Sequence, residues 1–222
     1  MNARPLRLVL SLGLLGLVAC SSAPQMPEGS GRGMLAWDRE APKGVQVHRR
    51  PTWTVGDRFV YQKGGQEHLD FRVTRADPAL GYELEEHGTS LLLHLDADFA
   101  EIGRSARKGS GLRRLFAPKN PELHFPLWVG KKWSASYLDK DNQGRARPIV
   151  ARFHCDAEEW VDTAAGRFRC LRIWEERVLD VDSGSYLART ALRWYSPEVG
   201  WIVRRLEGGT LEELEAYHRQ RR

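Results

Sequence analysis

The sequence predicts a mainly β fold, an antiparallel meander forming a curved sheet, half-barrel or sandwich, with a short C-terminal helix. Three observations carry this. Leu69, Phe71 and Val73 alternate with Asp70 and Arg72, the period-two pattern of a strand with one buried face. Similar stretches recur along the chain, separated by Lys63-Gly64-Gly65-Gln66, Asp77-Pro78, Asp139 to Gly144, Ala164-Ala165-Gly166 and Asp182-Ser183-Gly184, all of them turn chemistry. Short turns between consecutive strands give antiparallel neighbours. Finally, 41% hydrophobic residues and eight tryptophans supply enough apolar surface for a packed core.

In chain order the expected strands begin at Asp57 to Lys63 and continue through Leu69 to Val73, Gly81 to His87, Ser90 to Leu95 and Lys132 to Leu138. They resume at Ile149 to Val161, Arg167 to Leu179, Ser185 to Tyr195 and Gly200 to Leu206. Val55-Gly56-Asp57-Arg58-Phe59 echoes Val129-Gly130-Lys131-Lys132-Trp133, each glycine preceding an aromatic strand, with a Pro-rich, basic stretch from Ile102 to Pro126 between the two. At the C-terminus Thr210 is placed to cap a helix from Leu211 to Arg222, with Glu213 three residues on as in a capping box. Its acidic first turn and its Arg219, Arg221 and Arg222 suit the helix dipole.

The first 19 residues read differently. Arg4 and Arg7 precede an apolar run from Leu8 to Val18, the order of a secretory signal peptide. Eleven residues at about 1.5 Å each make roughly 16 Å of helix, half of a hydrocarbon core of about 30 Å, too short for an ordinary span. The run ends in Leu17-Val18-Ala19-Cys20, which resembles the lipobox of bacterial lipoproteins. That resemblance implies cleavage before Cys20, lipidation of its thiol and a membrane anchor, several acyl chains holding a bilayer far more firmly than one. Ser21 stands where an inner-membrane retention signal would place aspartate, so the resemblance favours the periplasmic face of the outer membrane. The expected organisation is a signal peptide over 1–19, a lipidated Cys20 with a Pro, Gly and Ser tether over 20–51, and one β-rich domain over 52–222.

Without residues 1–19, which carry Arg4 and Arg7 and no acidic residue, the formal charge falls from +5 to +3. So mild a basicity, in an envelope location, argues against nucleic acid as partner. Cys155 and Cys170 are then the remaining cysteines, and in an oxidising compartment both a disulfide and two buried thiols fit them. A turn centred near Ala165 puts Cys170 opposite a residue near 160, so a bridge to Cys155 needs a bulge or a shifted turn.

Ala165-Gly166-Arg167-Phe168, Trp194-Tyr195-Ser196-Pro197-Glu198-Val199-Gly200-Trp201 and the earlier Val-Gly-x-x-Trp resemble hallmarks of a widespread group of bacterial envelope proteins of unknown function, over residues 127–206. The resemblance implies a curved antiparallel sheet similar to the half-barrel lipoprotein carriers of the LolA and LolB kind, and carries no catalytic residue.

Remaining constellations are weaker. His94, Asp96 and Asp98 share a strand face that suits a metal or acid-base chemistry, but a solvated face is the better explanation, and His68 with Asp70 repeats the pattern. No phosphate loop, nucleophile elbow or paired-cysteine zinc motif is present, so no catalytic residue, metal ligand or cofactor is expected. Arg104, Arg107, Lys108, Arg113, Arg114 and Lys119 form a run free of acidic residues between Glu101 and Glu122, the most polarised candidate surface. Together these features point to a membrane-tethered, non-catalytic envelope protein that holds a hydrophobic ligand or an envelope component in a concave sheet. The alternatives are an interaction module using the 104–119 loop, and a hydrolase with a convergent site at His94, Asp96 and Asp98.

Overall fold

The computed structural model describes residues 35–89, 91–107, 111–182 and 185–220. The signal segment, Cys20 and Lys108 lie outside them. Among the described residues thirteen strands form one sheet: β1 (Leu35–Trp37), β2 (Arg58–Lys63), β3 (Glu67–Asp77), β4 (Gly81–Glu86), β5 (Leu91–Leu95), β6 (Glu101–Ala106), β7 (Leu112–Asn120), β8 (Lys132–Asp141), β9 (Ala146–Thr163), β10 (Gly166–Asp182), β11 (Ser185–Ser196), β12 (Trp201–Glu207) and β13 (Thr210–His218).

Strands β2 to β13 pair in sequence order, each antiparallel to the next, and β13 returns to pair with β2, so twelve strands close into a barrel. Closure gives each of the twelve ring strands a neighbour on both sides, where an open half-barrel would leave two edges exposed. Strand β1 stands outside the ring, pairing Leu35 to Trp37 with Ala135 to Trp133 of β8. The end of the expected tether is thus attached to the barrel, and His48 adds a further bridge to Leu127.

Three elements differ from the sequence expectation. The C-terminal segment is strand β13 rather than a helix. Gly208 and Gly209 both adopt positive φ, 57° and 80°, which a two-residue hairpin demands and which reverses the chain directly into pairing with β12. The spacing of Leu211 and Leu214 imitates a helix face. Hydrogen bonding to both β12 and β2 outweighs that local propensity. The basic stretch from Ile102 onward is the β6–β7 hairpin rather than a loop, with Gly103 opposite Leu115 and Arg104 opposite Arg114.

The third difference concerns the cysteines. Cys170 lies opposite Glu159 and Cys155 opposite Ile173, with a bulge between, so the two sit three positions apart on β10. At about 3.3 Å per residue that is some 10 Å along the strand, beyond the reach of a disulfide. Both are buried free thiols, in different apolar clusters. Burial pushes each thiol up to about 12.

Because the hairpins β2–β3, β4–β5, β6–β7, β8–β9, β10–β11 and β12–β13 all turn at one end, the remaining connections gather at the other. That second end is plugged. Trp53 packs its ring against Phe59, Tyr82, Phe99 and Trp201 with centroids 5.1, 5.4, 4.7 and 4.7 Å away, and donates from Nε1 to the Gly200 carbonyl at 3.1 Å. The loop between β7 and β8 completes the plug by burying Leu123, Leu127 and Trp128, while Phe125 meets Phe99 and Tyr195. Lys131, itself fully buried, ties this loop together by donating to the carbonyls of His124 and Pro126, each at 2.7 Å. Four of the eight tryptophans, Trp53, Trp128, Trp133 and Trp194, are core residues, while Trp37 and Trp160 remain exposed.

Candidate functional site: a charged barrel lumen

The hairpin end is hollow. A cavity of about 560 Å³ opens there, lined by residues from every barrel strand except β8. Its walls carry the carboxylates of Glu67, Glu86, Glu101, Glu122, Glu207 and Glu212. Against them stand Lys63, Arg104, Arg114, Arg177, Arg189 and Arg205, so the formal charges balance. Leu69, Phe71, Leu91, Phe116, Ile149 and Leu179 fill the spaces between.

At the floor, where lumen meets plug, lies an ion-pair network. Glu122, carried in by the plug loop, accepts from Arg205 at 2.9 Å, Arg193 at 3.0 Å and Arg177 at 3.3 Å, from three successive strands β12, β11 and β10. Glu175, fully buried on β10, binds both Arg177 and Arg193. Arg205 also reaches Glu212 at 2.9 Å. Burial alone would push the Glu122 carboxyl up, but Arg193, Arg205 and Arg177 together hold it well below the usual carboxylate range. Burial and the nearby Lys131 ammonium push His124 down to about 4, and its neutral ring accepts a hydrogen bond from Lys131 at Nδ1, 3.0 Å away.

The lumen also contains polar groups with no partner of their own. Asn120 Oδ1 and Arg205 Nε, on lumen-lining residues, are buried without a hydrogen-bond partner among the described residues, as are Arg193 Nε and the Tyr137 hydroxyl outside that lining. Glu86, 8% exposed, makes no ion pair among them, and neither does Arg189 on the far wall. Such groups are ordinarily met by water or by a ligand.

The residues singled out from sequence fall elsewhere. Arg104 pairs with Glu101 and Arg114 with Asp139, both at 2.8 Å. Arg107 pairs with Glu85, and Lys119 with Asp96 at 2.6 Å. The apparently unopposed basic run is therefore neutralised, by Glu101 on its own strand, by Glu85 and Asp139 on other strands and by Asp96 in the β5–β6 connection, and among its described members only Arg113 remains exposed without a partner. His94 bonds Ser105 at 2.8 Å and faces Glu83 at 3.5 Å, whereas Asp96 turns away to accept the backbone N–H groups of Asp98 and Ala100. Asp98 pairs with Arg50 at 3.3 Å. Thus His94, Asp96 and Asp98 do not converge, and no metal-holding cluster exists among the described residues. His68 and Asp70 are likewise committed, to Glu215 at 2.9 Å and to Arg58 at 2.7 Å.

What the sequence reading missed is the floor network. Its trace is visible as charged residues at inward positions of otherwise apolar alternation, Ile173-x-Glu175-x-Arg177-x-Leu179 and Ala191-x-Arg193-x-Tyr195. An amphipathic strand does not place Glu and Arg on its apolar face unless each meets the other there.

No family model and no curated protein matches the chain. Among solved structures it is similar to the hypothetical lipoprotein YmcC from Escherichia coli, at 10% identity over 73% of this chain and 86% of that one, TM-score 0.49. A candidate lipoprotein from Parabacteroides distasonis gives 14% identity over 78% and 100% of the two chains, TM-score 0.49. A candidate exported protein with a YmcC-like fold from Bacteroides fragilis gives 14%, 78% and 100%, TM-score 0.43. No functional residue is carried over from them.

Proposed function

We propose that this is a non-catalytic protein lipid-anchored through Cys20 in the bacterial cell envelope, at the periplasmic face of the outer membrane, whose barrel lumen binds a polar ligand bearing charges of both signs. The anchor rests on Leu17-Val18-Ala19-Cys20 and the apolar run before it. The observation that carries the binding role is the open lumen of about 560 Å³ with balanced charged walls, a size within the usual range for small-molecule sites. An acyl chain is a poor occupant, because it would strip water from Glu86 and Arg189 and return no hydrogen bond. A zwitterionic ligand offers a cationic group to Glu86 and an anionic group to Arg189, the lining charges without an ion pair among the described residues. This replaces the hydrophobic ligand expected from a concave sheet. The interaction module loses its free basic run, and the hydrolase its assembled residues.

Two measurements test the reading separately. Palmitate labelling should mark the wild-type chain and not Cys20→Ser, which should leave the membrane fraction; an unlabelled wild type contradicts the anchor. Native mass spectrometry after mild extraction should show a bound polar species of a few hundred daltons that is reduced in Glu86→Gln and Arg189→Gln. A co-purifying acyl lipid, or binding unchanged in both variants, contradicts the lumen assignment.

A further inference from the structure

Outside the barrel, across β13, β2, β3 and β4, lies a second concavity of about 650 Å³. Its charge arrangement is unusual for a sheet surface. The pairing register runs His218 opposite Arg58, Arg58 opposite Arg72 and Arg72 opposite Glu85. Two guanidinium groups therefore face each other directly on neighbouring strands, with an imidazole in line, a juxtaposition that costs stability when nothing lies between.

The carboxylates of the groove only partly offset this. Asp70 takes Arg58 through two bonds of 2.8 and 2.7 Å, and Glu85 takes Arg107. Arg72 is exposed and has no partner among the described residues. His87 lines the same wall. Three guanidinium groups against two carboxylates leave a formal charge of +1 before either histidine is protonated. Arg58 also keeps N–H donors in reserve, since each guanidinium has five and Asp70 engages Nε and Nη2 only.

Several forked donors converging on one hollow, with one guanidinium wholly uncommitted, suit a multiply charged oxyanion better than a single carboxylate. We propose that this outer-wall groove binds a phosphate-bearing anion, held by Arg72 with the spare donors of Arg58 and Arg107 and the imidazoles of His87 and His218. The site is separate from the lumen and does not depend on the lipid anchor.

The test is calorimetric titration of the mature protein in neutral-detergent micelles, first with inorganic phosphate, then with phosphatidic acid doped into the micelles. Wild type should bind saturably. Arg72→Glu should weaken binding at least tenfold, and Arg72→Gln several-fold. Asp70→Asn, which frees Arg58 and removes an opposing charge, should tighten it several-fold, while Arg152→Glu, on the distant β9–β10 wall, should leave it unchanged. Binding of both probes assigns the phosphate group itself; binding of phosphatidic acid alone assigns a lipid headgroup. Wild type binding neither probe, or Arg72→Glu binding as well as wild type with its fold verified by circular dichroism, overturns the proposal.

Discussion

At one end of the barrel the twelve strands enclose Trp53, Tyr82, Phe99 and Trp201, packed ring against ring; at the other the same strands present Lys63, Glu86, Arg114 and Arg189 around an open cavity. Between them Glu122 and its arginines form a partition that belongs to both, apolar below and charged above. The difference teaches where stability and function reside. Closed barrels of this size do not need their whole interior for packing, so one half fixes the fold while the other is free to hold a ligand.

That division can be broken most forcefully at the plug. Trp53→Ala removes five partners at once, the four rings and the Gly200 carbonyl, and should cost about 3–5 kcal/mol in denaturant unfolding. Glu122→Gln keeps the shape but leaves three arginines short of their shared carboxylate, so a loss of about 3 kcal/mol is expected by the same measurement.

Acid should act on this same loop. Folded His124 titrates near 4, below its unfolded value of about 6.5, so between those values the unfolded chain binds a proton the folded one refuses. Stability should therefore fall as pH drops from 6.5 to 4.5, by about 2–3 kcal/mol from this group. Unfolding of wild type and His124→Asn at pH 7.0 and 4.5 checks it, the variant losing correspondingly less. Glu122 adds its own loss below the unfolded carboxylate value of about 4.3, because its folded pKa is depressed.

Effects at the open end should be small for folding. Arg189→Glu, at an exposed position without an ion pair among the described residues, should change stability by under about 0.5 kcal/mol while altering what the lumen retains. Smallest of all is the response to reductant: with Cys155 and Cys170 free, dithiothreitol should leave the melting temperature unchanged. A drop of several degrees would mean that the two are bridged.

Local alternation made nine of the strands legible from sequence, because each buries one face and shows the other to water, as Leu69, Phe71 and Val73 do. Strands β6, β7 and β13 were hidden for a physical reason. Their inward faces carry Arg104, Arg114 and Glu212, charges that only make sense once Asp139 and Arg205 arrive from neighbouring strands and the register shift between Glu101 and Gly103 sets Glu101 beside Arg104. The candidate site shared that fate. A charged lumen is a property of closure, and closure depends on β13 meeting β2 across more than 140 residues of sequence, as in Leu214 opposite Tyr61. The nearer constellations, His94 with Asp96 and the 104–119 basic run, were readable as sequence and then dispersed by the fold.

The open-versus-plugged contrast is tested most directly by thiol accessibility. Leu179→Cys lies on the lumen wall and Leu123→Cys in the plug, while the native Cys155 and Cys170 are buried and serve as internal controls. A charged methanethiosulfonate reagent should modify Cys at 179 rapidly, spare Cys at 123 and leave the native thiols untouched. Equal protection of positions 179 and 123 in the folded protein would contradict the account, since it would mean that the mouth is closed.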